Sequence, residues 1–161
     1  MKKISPESLW HTIGFGVIAG MRSMSAPALI SNYLTRRFTY RLSRSPLRFI
    51  KSPLVSKGLT VLAASEMLGD KLPAMPDRIS PGIMAGRAVS GALVGAVIHK
   101  TNGDKLIKGA IIGGLAAIAA TYATYYLRKK LGKDTHIADP VLGLIEDALA
   151  ITGGIGLLKA K

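Results

Sequence analysis

Ala19-Gly20-Met21-Arg22-Ser23-Met24-Ser25-Ala26-Pro27 is the stretch on which the reading of this chain turns. It lies inside an otherwise apolar segment, residues 8–34, and puts an arginine near its middle. An α-helix rises about 1.5 Å per residue, so about 20 apolar residues cross a hydrocarbon core of about 30 Å. An arginine at mid-depth costs about 2.5–3.5 kcal/mol on insertion scales. The apolar side chains of the segment return only about 0.3–0.6 kcal/mol each. A second such arginine sits in Ala85-Gly86-Arg87-Ala88-Val89-Ser90-Gly91-Ala92. Each arginine has a serine three residues on, Ser25 after Arg22 and Ser90 after Arg87, which a helix would place on the same face. A chain that carries this cost twice in similar surroundings has a use for the charge.

Composition agrees with a membrane setting. The chain has 161 residues, the length of one domain, and 48% of them are hydrophobic despite 22 Lys and Arg. The apolar residues fall in blocks and most charges lie between the blocks, whereas a soluble basic protein spreads charge over every exposed helix face. The net charge of +13 therefore reads as membrane topology and attraction to anionic lipid, not as nucleic-acid binding. There is no cysteine, which excludes disulfides and thiolate chemistry. His11, His99 and His136 have no metal-ligand spacing. No Walker loop, nucleophile elbow or dinucleotide fingerprint is present, and no nucleophile stands beside a base. The expectation is no enzyme, no cofactor and no metal. Lys2 and Lys3 precede an apolar stretch as in a secretory signal, but Arg22 interrupts it and further apolar segments follow, so cleavage is not expected.

The fold class expected is all-α, a polytopic helical membrane protein of about five spans. The spans fall at about 8–34, 58–72, 82–98, 105–127 and 140–158 of a single domain, 1–161. Pro27 removes a backbone hydrogen bond within the first of them, which predicts a kink or break between Arg22 and Pro27. Residues 36–57 interleave arginines and lysines with Phe38, Tyr40, Leu47 and Phe49, the pattern of an interfacial segment on anionic head groups. The second span carries Glu66 and Asp70 and is short for a crossing. A stiff loop follows, with Pro73, Pro76 and Pro81 around Asp77 and Arg78. Tyr122, Tyr125 and Tyr126 form an aromatic belt before Arg128, Lys129 and Lys130 stop the fourth span. With five crossings, the excess of Lys and Arg favours the 36–57 segment and the C-terminus in the cytoplasm. A re-entrant first segment would bring the N-terminus to that side as well.

The charged residues define a candidate intramembrane site: Arg22, Ser23, Ser25, Glu66, Asp70, Lys71, Arg87, Ser90, Glu146 and Asp147, with Pro27 as helix break and Pro73, Asp77 and Arg78 in the adjoining loop. Charges within spans face a bundle interior or a wet cavity and pair with each other, so both arginines are expected to meet acids from other spans. The order arginine then acid pair occurs twice, a hint of internal duplication. Gly91 with Gly95 and Gly109 with Gly113 form GxxxG pairs, which serve packing within one subunit or a dimer seam. A homodimer is expected because short spans enclose little interior of their own.

These residues also carry a resemblance. Gly20-Met21-Arg22-Ser23-Met24-Ser25-Ala26-Pro27-Ala28-Leu29 resembles the first-helix signature of a family of small bacterial integral membrane proteins, the domain of unknown function 4126. Glu66-Met67-Leu68-Gly69-Asp70-Lys71-Leu72-Pro73 resembles its central acid-then-Asp-Lys-Xaa-Pro motif, and Asp77, Arg78, Arg87 and Gly91-Ala92 resemble the segment that follows. The resemblance runs from about residue 10 to 150. The commoner pattern has proline directly after the second arginine, where Ala88 stands here. It implies a helical membrane fold, and no particular activity. The location expected is the bacterial cytoplasmic (inner) membrane, multi-pass. The function favoured is a small transporter or channel-like protein for an ion or anionic solute. The alternatives are a membrane scaffold or assembly protein whose buried ion pairs are structural, and an anionic-lipid binding protein.

Overall fold

The computed structural model describes residues 5–69, 79–135 and 139–160, and among these all regular structure is helical. The first helix, α1, spans Pro6–Met21. Ser5 caps it by accepting the N–H of Ser8, Pro6 opens it, and Glu7 lies in its first turn where the helix dipole favours an acid. It ends at Arg22, whose backbone is extended. A second helix, α2 (Ser25–Thr35), starts three residues later and doubles back. Ile30 and Leu34 of α2 border one small cavity together with His11 and Phe15 from the beginning of α1. The segment 8–34 is therefore a helical hairpin, not the single crossing that its apolar length suggested. The break falls before Pro27, which occupies the first turn of α2, where a backbone N–H has no intrahelical partner to lose.

A short helix α3 (Tyr40–Ser43) and a 3-10 turn (Pro46–Lys51) lead into α4 (Pro53–Gly69). The tail of the expected interfacial segment, residues 53–57, is thus the start of α4. Then come α5 (Pro81–Asn102), α6 (Leu106–Thr135) and α7 (Asp139–Lys159). Among the described residues, three helices are long and apolar enough to cross a membrane: α5, α6 over Leu106–Leu131, and α7 over Val141–Lys159. The expected count of about five is not confirmed among the described residues. The first segment divides into helices of 16 and 11 residues, and α4 has 17, about 26 Å of rise.

The core of the bundle is a seam of three helices, each contributing one residue per turn at i, i+4 spacing. From α1 come Ser8, Thr12, Gly16 and Gly20; from α5, Arg87, Gly91, Gly95 and His99; from α6, Gly109, Gly113, Ala117 and Thr121. All twelve are buried. The glycines in the middle let backbones touch. A Cβ on Gly91 would collide with the carbonyl of Gly113, one on Gly95 with that of Gly109, and one on Gly20 with that of Ala117. The two GxxxG pairs are consumed within the chain, on the α5–α6 contact.

Hydrogen bonds fix which ends lie together. Asn102 donates to Ser8 Oγ at 2.7 Å, and His11 Nε2 lies 3.0 Å from the Leu157 carbonyl. Ser31 Oγ donates to the Ile50 carbonyl at 2.6 Å, and Gly103, in a left-handed C-cap at φ 81°, backs onto the Arg41 guanidinium. The start of α1, the end of α2, the 40–51 segment and the ends of α5 and α7 thus share one end of the molecule, the basic end. The hairpin tip, residues 22–24, points toward the other.

Candidate functional site

The hairpin tip ends two helices inside the bundle. A helix end leaves carbonyls or N–H groups without intrahelical partners, and burying them unsatisfied costs several kcal/mol in an apolar setting. The charged side chains singled out from the sequence supply those partners. Arg87, 3% exposed, donates through Nη1 to the Gly20 carbonyl at 2.9 Å, and Thr121 Oγ1 donates to the same oxygen at 3.0 Å. Ser90 Oγ donates to the Ser23 carbonyl. Glu66 reaches from α4 to the beginning of α2. One carboxylate oxygen accepts the Ser23 N–H at 2.9 Å and the Ser23 hydroxyl at 3.0 Å, and the other accepts the Met24 N–H at 2.9 Å. That is a carboxylate at a helix amino end, where orphan donors and dipole both favour negative charge.

Arg22, 1% exposed, turns toward α7. Its Nε lies 2.6 Å from Asp147 Oδ1, a close ion pair set off the N–H axis, and its Nη2 donates to the Gly143 carbonyl at 3.4 Å. Glu146, adjacent in sequence, faces Arg128 of α6, with the charged atoms 3.6 Å apart. Arg22 therefore meets an acid from the far end of the chain, whereas Glu66 serves the backbone of the tip. The repeated arginine-then-acid order does not mark local pairs. Ser25 is the buried first residue of α2, and among the described residues its hydroxyl has no partner. Asp70, Lys71, Pro73, Asp77 and Arg78 lie outside the described residues.

The depth of this cluster follows from the helices beside it. Arg87 is six residues inside the start of α5 and Asp147 six inside Val141, each about 9 Å along its helix. Next to the tip, between α6 and α7, lies a cavity of about 100 Å³ bordered by Met21, Leu127 and Leu142, with the Arg128–Glu146 pair in its wall. Charge pattern alone does not point to Thr121, Arg128 or the Gly20 and Gly143 carbonyls as members of the site. Thr121 could have been found from the i, i+4 series of small residues that begins at Gly109.

Residues 9–160 match the model of a protein family described as Domain of unknown function (DUF4126), and the chain belongs to that family. No curated protein and no solved structure matches it. The family description and the three apolar helices are compatible with a membrane protein.

Proposed function

We propose that the protein is a multi-pass protein of the bacterial cytoplasmic membrane that carries or conducts an ion or small anionic solute, with the α1–α2 tip as its site. One observation carries this reading: a helical hairpin ends deep among the apolar helices, and the amino end of α2 holds a carboxylate through two backbone N–H groups and a hydroxyl. Irregular backbone at membrane depth is tolerated where it is buried in protein or borders a cavity, and helix ends at that depth are how many transporters hold ions and substrate carboxylates. The donors at the tip, which Glu66 occupies, are of the kind that suits a small anion, and no activated nucleophile stands among them, so the role proposed is not enzymatic. With its glycine pairs spent internally, the homodimer we propose would use the outer face of α7, where Gly153 and Gly156 have nothing within 4 Å.

A scaffold role has its own support. Glu66 and Asp147 are both engaged, and the seam beside them is closely packed. Flux separates the two. Wild-type protein in liposomes is expected to pass chloride or acetate at rates above protein-free vesicles, with Arg87→Ala reducing that flux at least about tenfold while the folded oligomer persists. Absence of flux for both anions and for potassium and protons, from folded wild type, would leave the scaffold reading.

A further inference from the structure

Between Glu7 and Glu66 the chain contains no acidic residue, yet most of its arginines fall in that interval. Three cations of the basic segment turn to aromatic faces. The Arg37 guanidinium lies 4.5 Å from the Tyr33 ring centre and that of Arg44 lies 5.0 Å from Tyr40. Lys51 Nζ also lies 5.3 Å from the Phe38 ring centre, but Lys51 and Arg48 have a second setting. Together with Ser43, Phe49 and Ser52 they border an open cavity of about 430 Å³ on the 3-10 turn. Lys51 Nζ donates to Ser43 Oγ at 3.1 Å, which holds the ammonium at the cavity. Ser52 has extended backbone, and its carbonyl accepts the Ser56 N–H at 2.9 Å, so it is the residue from which α4 starts. The positive pole of a 17-residue helix therefore adjoins the same cavity.

A guanidinium, an ammonium, the Ser52 hydroxyl and a helix amino end suit a ligand with several anionic oxygens, and Ser43, whose hydroxyl donates to the Thr39 carbonyl at 3.0 Å, positions Lys51 beside them. We propose that the cavity formed by Ser43, Arg48, Lys51 and Ser52 binds a phosphate group, presented by an anionic phospholipid or free in solution. The lipid is the expected source. Phe38 is 87% exposed and Phe49 45%, and both lie at the end of the molecule where the apolar helices α5 and α7 finish. Aromatic rings and basic side chains at such a boundary sit at headgroup depth. The site is separate from the hairpin tip and holds whether or not the protein transports anything.

The test uses the full chain in a neutral detergent, where no membrane surface potential contributes. Phosphatidylglycerol, diacylglycerol (which lacks the phosphate) and inorganic phosphate are titrated separately, with bound lipid read by native mass spectrometry and bound phosphate by calorimetry. Phosphatidylglycerol is expected to saturate and diacylglycerol not to bind. The double variant Arg48→Gln/Lys51→Gln should weaken binding at least about tenfold, and Arg36→Gln/Arg44→Gln, the same charge removed outside the cavity, by no more than about twofold. Inorganic phosphate binding with the same dependence, and no lipid binding, would assign the free ion as the source. Equal losses from the two pairs, no loss from the first, or no binding of either ligand overturns the proposal. If Arg48→Gln/Lys51→Gln fails to fold, Ser43→Ala/Ser52→Ala takes its place, with an expected loss of about threefold.

Discussion

Asp147 and Glu66 are both acids at the hairpin tip, but they hold different things. Asp147 holds a side chain, Arg22 at 2.6 Å, and Glu66 holds backbone, the N–H groups of Ser23 and Met24. Breaking a buried ion pair from one side costs about 3–5 kcal/mol, because the other charge stays in place, whereas exchanging both partners for apolar residues of similar size is often near neutral. Asp147→Leu alone should therefore lower stability by about 3 kcal/mol, and Arg22→Met with Asp147→Leu should recover most of that loss. Unfolding of the single and double variants in detergent reads the difference. A double variant as unstable as the sum of the singles would show that Arg22 matters through its bond to the Gly143 carbonyl rather than through the pair. Glu66→Ala removes a cap and should cost about 1–2 kcal/mol. Glu66→Gln keeps an acceptor oxygen and should cost less.

At the scale of the helix, the glycines separate into two kinds. Gly95 lies on the α5–α6 contact, where an added methyl would enter the Gly109 carbonyl, and Gly86 on the same helix has nothing within 4 Å. Gly95→Ala forces backbones apart and should destabilise by about 1–3 kcal/mol. Gly86→Ala restores helix propensity without a collision and should stabilise by up to about 1 kcal/mol. Thermal melting of the two variants gives opposite signs if the seam is as described. The same seam shows what could be read from sequence. The starts of the later helices were legible to within a residue or two because a long apolar run between turn signals has one economical fold, as in α5 between Pro81 and Gly103, whereas α6 runs eight residues past its expected end at 127. The burial of Arg22 and Arg87 was legible because their cost in lipid is large and drives them into the bundle. The break between Arg22 and Pro27 was legible too, with a re-entrant segment as one outcome, but whether the chain doubles back there was not, since an apolar run of that length fits one kinked crossing as well as two antiparallel helices. What decides between them is tertiary: Glu66, Arg87 and Thr121 supply partners for a break that α1 and α2 cannot supply for themselves.

For the whole molecule, the hairpin changes the topology. A straight first crossing would put the N-terminus opposite the basic segment. Because α1 and α2 enter and leave at one end, Ser8 lies beside Asn102 and His11 beside Leu157. The start of α1 and the end of α7 thus share the basic end. Between them α4 runs from that end, beside Asn32, to the tip, and α5 starts from the opposite end, so the chain changes ends there. The charges sort accordingly. The basic end collects the cations of the 36–57 segment with Lys100, Lys105, Lys108 and Lys159, and Arg128, Lys129 and Lys130 lie toward the tip end. Short loops rich in Lys and Arg stay in the cytoplasm. In a bacterial membrane both termini should therefore be cytoplasmic. Reporters that fluoresce only in the cytoplasm, fused to either terminus, should both give signal, and a periplasmic alkaline phosphatase fused at either place should be inactive. A cytoplasmic C-terminus with a periplasmic N-terminus would require residues 8–34 to cross outright. The contacts of α1 and α2 around His11 and Leu34 would then not exist in the membrane.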